Sequence, residues 1–250
     1  MKGRVMDFTG RTALITGAGQ GIGKACAEVF ASRGSSLVLL DKNKNTLPHV
    51  AKALRAEGCG VIAHVIDLTH TRRLETLIEH IKKETAVDIL VNNAGFDKPG
   101  VTSKTHRNRF NAVLGIHVGV PFMLIKLLLP DMRARKWGRI INISSVYGLS
   151  GAKGEVAYST AKAGIVGLTK TAAREGGPDG VTVNAVVPGL IRTPTIEKMP
   201  EKYKIPILEQ TLLGRIGEAE EVARTIAFLA SDDASYITGT TITVSGGWGI

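Results

Sequence analysis

Ser145, Tyr158 and Lys162 bring a hydroxyl, a phenol and an amine into one short stretch of chain. Tyr158 and Lys162 stand four apart in a run, Glu155–Lys170, that has helical spacing, so their side chains share a face. A free tyrosine ionises near pH ~10 and is a poor base at neutral pH. Burial alone raises that value further. A cation ~4 Å away, at an effective dielectric of ~20, favours the phenolate by up to ~4 kcal/mol, about three pKa units. Lys162 can supply that charge and also hold a ribose hydroxyl. Tyr158 then comes within reach of general acid–base work, with Ser145 hydrogen-bonded to the substrate oxygen. The set fits hydride transfer between an alcohol carbon and a nicotinamide, with Tyr158 passing the proton.

Such a set needs a frame. Short apolar runs predict strands at 12–17, 36–41, 61–68, 88–95, 138–145, 180–189 and 240–247. Helical spacing predicts helices at 23–34, 46–58, 71–85, 106–135, 155–176 and 218–231, with kinks at Pro121 and Pro130 in the long one. Strands that alternate with helices and read as continuous apolar runs predict a parallel sheet covered on both faces. No linker or repeat interrupts residues 1–250, so the expectation is one doubly wound α/β domain. Ligands of such sheets bind at the carboxyl ends of the strands, near the switch in strand order.

The first strand runs into "TGAGQGIGK", with glycines at Gly17, Gly19, Gly21 and Gly23 and with Gln20 and Ile22 between them. The G-x-G-x-x-G fingerprint fails because position 22 is Ile22, and the Walker loop fails because Lys24 is followed by Ala25. The physics of G-x-x-x-G-x-G is shared with both: bare backbone approaches a phosphate, and a helix N-terminus attracts its charge. Asp41 ends the second strand. A carboxylate there accepts hydrogen bonds from a ribose diol and repels a 2′-phosphate, which argues for NAD over NADP. A helix-capping aspartate is the alternative.

Composition narrows the class. The 250 residues are 44% hydrophobic and 22% charged, an ordinary globular profile. Cys26 and Cys59 have no metal or disulfide spacing, the first residues show no secretory leader, and no apolar run approaches the ~20 residues of a membrane span. The expectation is a soluble cytoplasmic protein. The net charge of +10 is spread along the chain without an aromatic nucleic-acid motif, leaving a mild preference for acidic small molecules. The substrate pocket is expected in the loop after Gly95, with Phe96, Asp97, Lys98 and Lys104. A lid at about 190–215, with Lys198, Lys202, Tyr203 and Lys204, and Tyr147 beside Ser145 complete it. These lysines favour an anionic substrate.

Taken in order, "TGAGQGIG", Asp67–Leu68, "NNAG" (Asn92–Gly95), Y-x-x-x-K, Pro188–Gly189 and Gly246–Gly247 closely resemble the classical short-chain dehydrogenase/reductase family over nearly the whole chain. The resemblance implies a seven-stranded Rossmann sheet and a homotetramer built on the long fourth and fifth helices. It implies that Asp67 and Leu68 hold the adenine and that Asn93, Ala94 and Gly95 line the ribose side. Pro188 and Gly189 lead to Ile191 and Thr193 at the carboxamide. "GRIINISSVYG" and "YSTAKAGIVGLTKTAA" look most like 3-oxoacyl-carrier-protein reductases and their alcohol-oxidising relatives. One departure is His117, where the family usually has a relay asparagine; it either relays protons itself or breaks the relay. "STAK" also matches the S-x-x-K of penicillin-recognising hydrolases, but their S-D-N and K-T-G elements are missing. An NAD-binding sensor without turnover is the remaining alternative.

Overall fold

The computed structural model describes residues 6–249; Met1–Val5, part of the stretch read as lacking a leader, and Ile250 lie outside the described residues. The elements in order are β1 (Thr12–Thr16), α1 (Gly21–Ala31), β2 (Ser36–Asp41), α2 (Thr46–Ala56), β3 (Val61–Val65), α3 (Thr71–Glu84) and β4 (Ile89–Asn92). There follow α4 (Arg107–Leu114), α5 (Val120–Ala134), β5 (Gly138–Ile143), α6 (Val146–Ser150), α7 (Val156–Gly176) and β6 (Val181–Pro188). The chain closes with β7 (Ile191–Arg192), α8 (Pro194–Glu197), α9 (Glu201–Glu209), β8 (Gly217–Glu218), α10 (Ala219–Ala230) and β9 (Thr241–Val244). Seven strands form one sheet in the order β3-β2-β1-β4-β5-β6-β9, every pair parallel.

The strands alternate between two apolar faces. Ala13, Ile15, Leu37 and Leu39 face a core shared with Phe30 of α1 and Val222 and Ile226 of α10. Leu14, Val38 and Leu40 face a second core with Leu74 and Ile78 of α3 and Leu124 and Leu128 of α5. Both faces are buried, so the strands lack polar alternation. Each buried aliphatic or aromatic side chain contributes roughly 1.5–3 kcal/mol of transfer free energy. The order reverses direction between β1 and β4, which opens a crevice at their carboxyl ends.

The long helix differs from expectation. It is interrupted by one π turn, Gly115–Gly119, where the Val120 N–H donates to the Gly115 carbonyl. Pro121 sits in the first turn of α5 and Pro130 lies inside α5. The extra residue of the π turn lies where His117 faces the cleft. The helical stretch Arg107–Ala134 is long and apolar enough to cross a membrane, but 56% of its most apolar window is buried inside the fold, as suits a core helix.

Candidate active site

A cleft of about 2170 Å³ runs along the carboxyl ends of the strands, and every residue predicted from the sequence for catalysis or cofactor binding lines it except Gly23. Gly23 is buried beneath the loop, where a Cβ would lie 2.1 Å from the Gly17 carbonyl oxygen. Its glycine serves the packing of α1 on the loop, a need that spacing cannot tell from contact with a ligand.

The dinucleotide end is built by β1, α1 and β2. Gln20 precedes α1 without a side-chain cap, and no acidic residue occupies the first turn, so side chains leave its leading N–H groups unclaimed. That arrangement fits an anionic phosphate. Asp41 is fixed by two backbone donors: Gly19 N–H reaches Oδ2 at 2.8 Å and Asn43 N–H reaches Oδ1 at 2.8 Å. Asn93 braces the loop through Nδ2, which donates to the Thr16 carbonyl at 2.9 Å and to the Gly17 carbonyl at 3.2 Å. Asp67 accepts from Thr69 through both its N–H and Oγ1, which hold its carboxyl below the usual range. These residues fit a nicotinamide dinucleotide.

The catalytic end is built by β5, α6 and α7. Ser145 caps α6, its Oγ accepting from Tyr147 N–H at 3.2 Å. Ser144 Oγ donates to the Lys162 carbonyl at 2.7 Å, and Lys162 Nζ donates to the Ile143 carbonyl at 2.7 Å. The buried Lys162 amine lies 5.5 Å from the centre of the Tyr158 ring. The expectation that Lys162 lowers the phenol is not met in the protein alone. Burial pushes Tyr158 up to about 12, with the neighbouring Ser145 hydroxyl acting the other way. Burial also brings Lys162 down to about 7. Desolvation is the leading cause of both shifts.

His117 is buried against the same two residues. Its ring meets the Tyr158 ring edge-on at 5.3 Å between centres, and Nε2 lies 2.9 Å from the Phe96 carbonyl oxygen. With Nε2 donating to that carbonyl, Nδ1 is an acceptor, and it has no protein partner. Burial first, and the Lys162 charge second, bring the imidazole down to about 3. Gly95 is required here: a Cβ would stand 2.0 Å from His117 Cε1. A histidine depressed from about 6.5 to about 3 stays neutral in the fold while the unfolded chain takes up a proton. Wild-type stability therefore falls by about 1.4 kcal/mol per pH unit on this account as pH drops from 6.5 toward 3. His117→Asn is expected to remove that slope, measured by urea unfolding of both proteins across pH 4–7.

The substrate end differs from the sequence reading. Lys98 and Lys104 do not line the cleft, and Lys204 is buried and bonded to the Glu197 carbonyl and the Glu201 carboxylate. Lys198 and Lys202 do line it. Asp97, Glu155, Tyr147 and Trp248 line it too, and Tyr147 and Trp248 meet edge-on at 5.2 Å. Glu155 and Trp248 escaped the sequence reading. Glu155 carried a usable signal, because three residues before Tyr158 on a helix is the same face. Trp248 lies far along the chain and carried none.

Comparison with known proteins finds similarity over nearly the whole chain. The family model described as enoyl-(acyl carrier protein) reductase matches residues 17–249. The 3-oxoacyl-[acyl-carrier-protein] reductase of Escherichia coli (strain K12) is 39% identical over 243 residues, covering 97% of this chain and 98% of that protein. A crystal structure of a 3-oxoacyl (acyl-carrier-protein) reductase from Agrobacterium tumefaciens C58 with NADP bound is 32% identical. It has a TM-score of 0.91 and covers 97% of this chain and 95% of that one. A structure assigned as an NAD(P)-dependent gluconate 5-dehydrogenase of Beutenbergia cavernae, with NADP at low occupancy, is 32% identical. Its TM-score is 0.93, covering 97% of this chain and 98% of that one.

Proposed function

The chain belongs to the classical short-chain dehydrogenase/reductase family, and from that premise we propose that it interconverts a carbonyl group and a secondary alcohol with a nicotinamide dinucleotide. The observation that carries the proposal is the convergence of Ser145, Tyr158 and Lys162 on one cleft with the uncapped start of α1. When bound, the nicotinamide gives or takes the hydride. Tyr158 exchanges the proton at its hydroxyl, and Ser145 donates to the substrate oxygen. Lys162, anchored under the Ile143 carbonyl, holds the ribose hydroxyls and shifts the phenol once charged. A phenol kept protonated by burial is a proton donor, which suits carbonyl reduction at neutral pH. His117 offers Nδ1 as an acceptor beside Lys162, in the relay position.

The relatives named as 3-oxoacyl-carrier-protein reductases support a 3-oxoacyl thioester as substrate, ahead of a simple alcohol. A second reading, a hydroxylated ketone, is favoured by the Asp97 and Glu155 carboxyls in the cleft. The test is consumption of NADH or NADPH by the purified protein with an acetoacetyl thioester, hydroxy ketones and cyclic ketones. Cofactor binding without turnover of any of them would overturn the proposal and favour a sensor.

Cofactor choice is argued from β2. The Agrobacterium relative holds NADP. In this chain Asp41, fixed by Gly19 and Asn43, sets a carboxylate at the ribose edge and supports NAD. Asp41→Ala is expected to raise the kcat/KM ratio of NADP over NAD by about 10-fold, roughly 1.4 kcal/mol of removed repulsion. An unchanged ratio, or a wild type that prefers NADP, removes the Asp41 argument.

We also propose a homotetramer on α5 and α7, in the cytoplasm. Phe122 of α5 is half exposed, and Cys26 and Cys59 are both free thiols. Light scattering is expected to return about four times the 26.6 kDa of one chain.

A further inference from the structure

We infer that Asp97 and Glu155 form the substrate-recognising wall of the cleft, and that the molecule reduced carries hydroxyl groups beside its carbonyl. The inference rests on the carbonyl–alcohol reading and parts from the acyl-thioester option at the atoms flanking the reacting carbon.

Glu155 precedes α7 and stands three residues before Tyr158, so both project from one side of that helix start. It occupies a capping position, yet its carboxyl makes no capping hydrogen bond. Its Oε2 is buried with no partner. Helix capping therefore does not account for this carboxyl. Asp97 comes from the loop after β4 and lines the same cleft as Glu155. Two backbone links hold the loops together: Gly100 N–H donates to the Gly154 carbonyl at 2.6 Å, and Gly100 and Glu155 form a parallel β-bridge. The wall is thus set by main chain and is tied to the residue that carries the proton.

The unpaired oxygen of the wall selects the ligand. Burial and Asp97 push Glu155 up to about 8, with Arg109 working against them. Lys162 is already bonded to Ile143, and Lys204 to Glu197 and Glu201. Lys153, Lys198 and Lys202 line the same cleft, so charge alone does not choose between an anionic and a neutral substrate. An alkyl or thioester group there would leave the buried Oε2 unpaired. A substrate hydroxyl can donate to it and so satisfy it. The Tyr147–Trp248 pair gives the same cleft apolar faces for the C–H surface of a polyol.

The experiment compares kcat/KM for ketohexoses and dihydroxyacetone with that for cyclohexanone and acetoacetyl-N-acetylcysteamine, in the full chain with its preferred cofactor. Sites built to bond a substrate hydroxyl reject analogues lacking it by up to about 10⁴-fold, and in this open cleft the expected preference for hydroxylated ketones is about 10²-fold. Glu155→Ala is expected to cut that ratio about 30-fold, with Glu155→Gln intermediate. If Glu155→Ala does not fold, Glu155→Gln and Asp97→Asn give the same readout. A preference for the hydroxyl-free compounds, or a ratio unmoved by these variants, overturns the inference while leaving the carbonyl–alcohol reading intact. If no carbonyl compound is turned over, that reading fails, and the thermal midpoint with reduced cofactor and a hexitol decides the inference alone. A rise in wild type that is lost in Glu155→Gln supports it, and no rise overturns it.

Discussion

Tyr158→Phe lowers kcat about 10³-fold and leaves cofactor affinity within about 2-fold, the range expected when one positioned proton donor is removed. The substitution deletes a single oxygen. The ring keeps its edge contact with His117, and the Lys162 amine keeps its bond to Ile143. Ser145 still reaches the substrate oxygen, so the residual rate measures positioning without proton transfer. Because the hydroxyl acts mainly as charge develops on that oxygen, kcat and kcat/KM fall together. Steady-state rates and a fluorescence titration with reduced cofactor check both halves. Wild-type kcat in the variant would remove Tyr158 from the mechanism.

Lys162→Met separates function from stability and moves them in opposite directions. Activity falls at least about 10²-fold, with a raised KM for cofactor, because the amine serves both the ribose and the phenol. Stability changes with pH in a definite sense. The folded pKa of Lys162 is depressed to about 7 by burial, below its unfolded value. The wild-type fold thus carries the full cost of a buried charge below pH 7. That cost fades as pH rises from 7 toward the unfolded value of about 10.5. Methionine carries no proton, so the variant gains stability relative to wild type below pH 7 by several kcal/mol, and the gain shrinks toward pH 10.5. The Ile143 carbonyl loses its partner at every pH, a constant offset of about 1–3 kcal/mol that does not alter the slope. Parallel urea unfolding of both proteins at pH 6 and pH 9 checks the sign. Equal gaps at the two values would mean that Lys162 titrates in the fold as it does in water.

Local chemistry made the architecture legible. Seven apolar runs became the seven strands of the sheet, and the inner ones are largely apolar because both of their faces are buried. Ser145, Tyr158 and Lys162 could be grouped because a strand end and the following helix bring near neighbours in sequence together in space. Asp41 could be placed because parallel strands end at one edge.

Other features depend on contacts between distant segments. His117 meets Phe96, Tyr158 and Lys162 only because α4, the π turn and α7 pack together. The π turn has no sequence mark as plain as the prolines on which kinks were expected. Gly23 reads like a ligand glycine, and only packing shows that it serves Gly17. Composition could not show that the two key pKa values move apart, since solvent exclusion is a property of the assembled cleft. Nor could it place the Asp97 and Glu155 carboxyls among the lysines of the substrate end. Lys204 turns inward to its own helix, while Asp97 is held beside Glu155 by loops clamped through Gly100. Order along the chain determined the fold and the grouping of Ser145, Tyr158 and Lys162; long-range packing decided their protonation and which residues surround them in the cleft. The physical reason is that strand and helix periodicity are local, whereas desolvation and side-chain direction depend on everything folded around them.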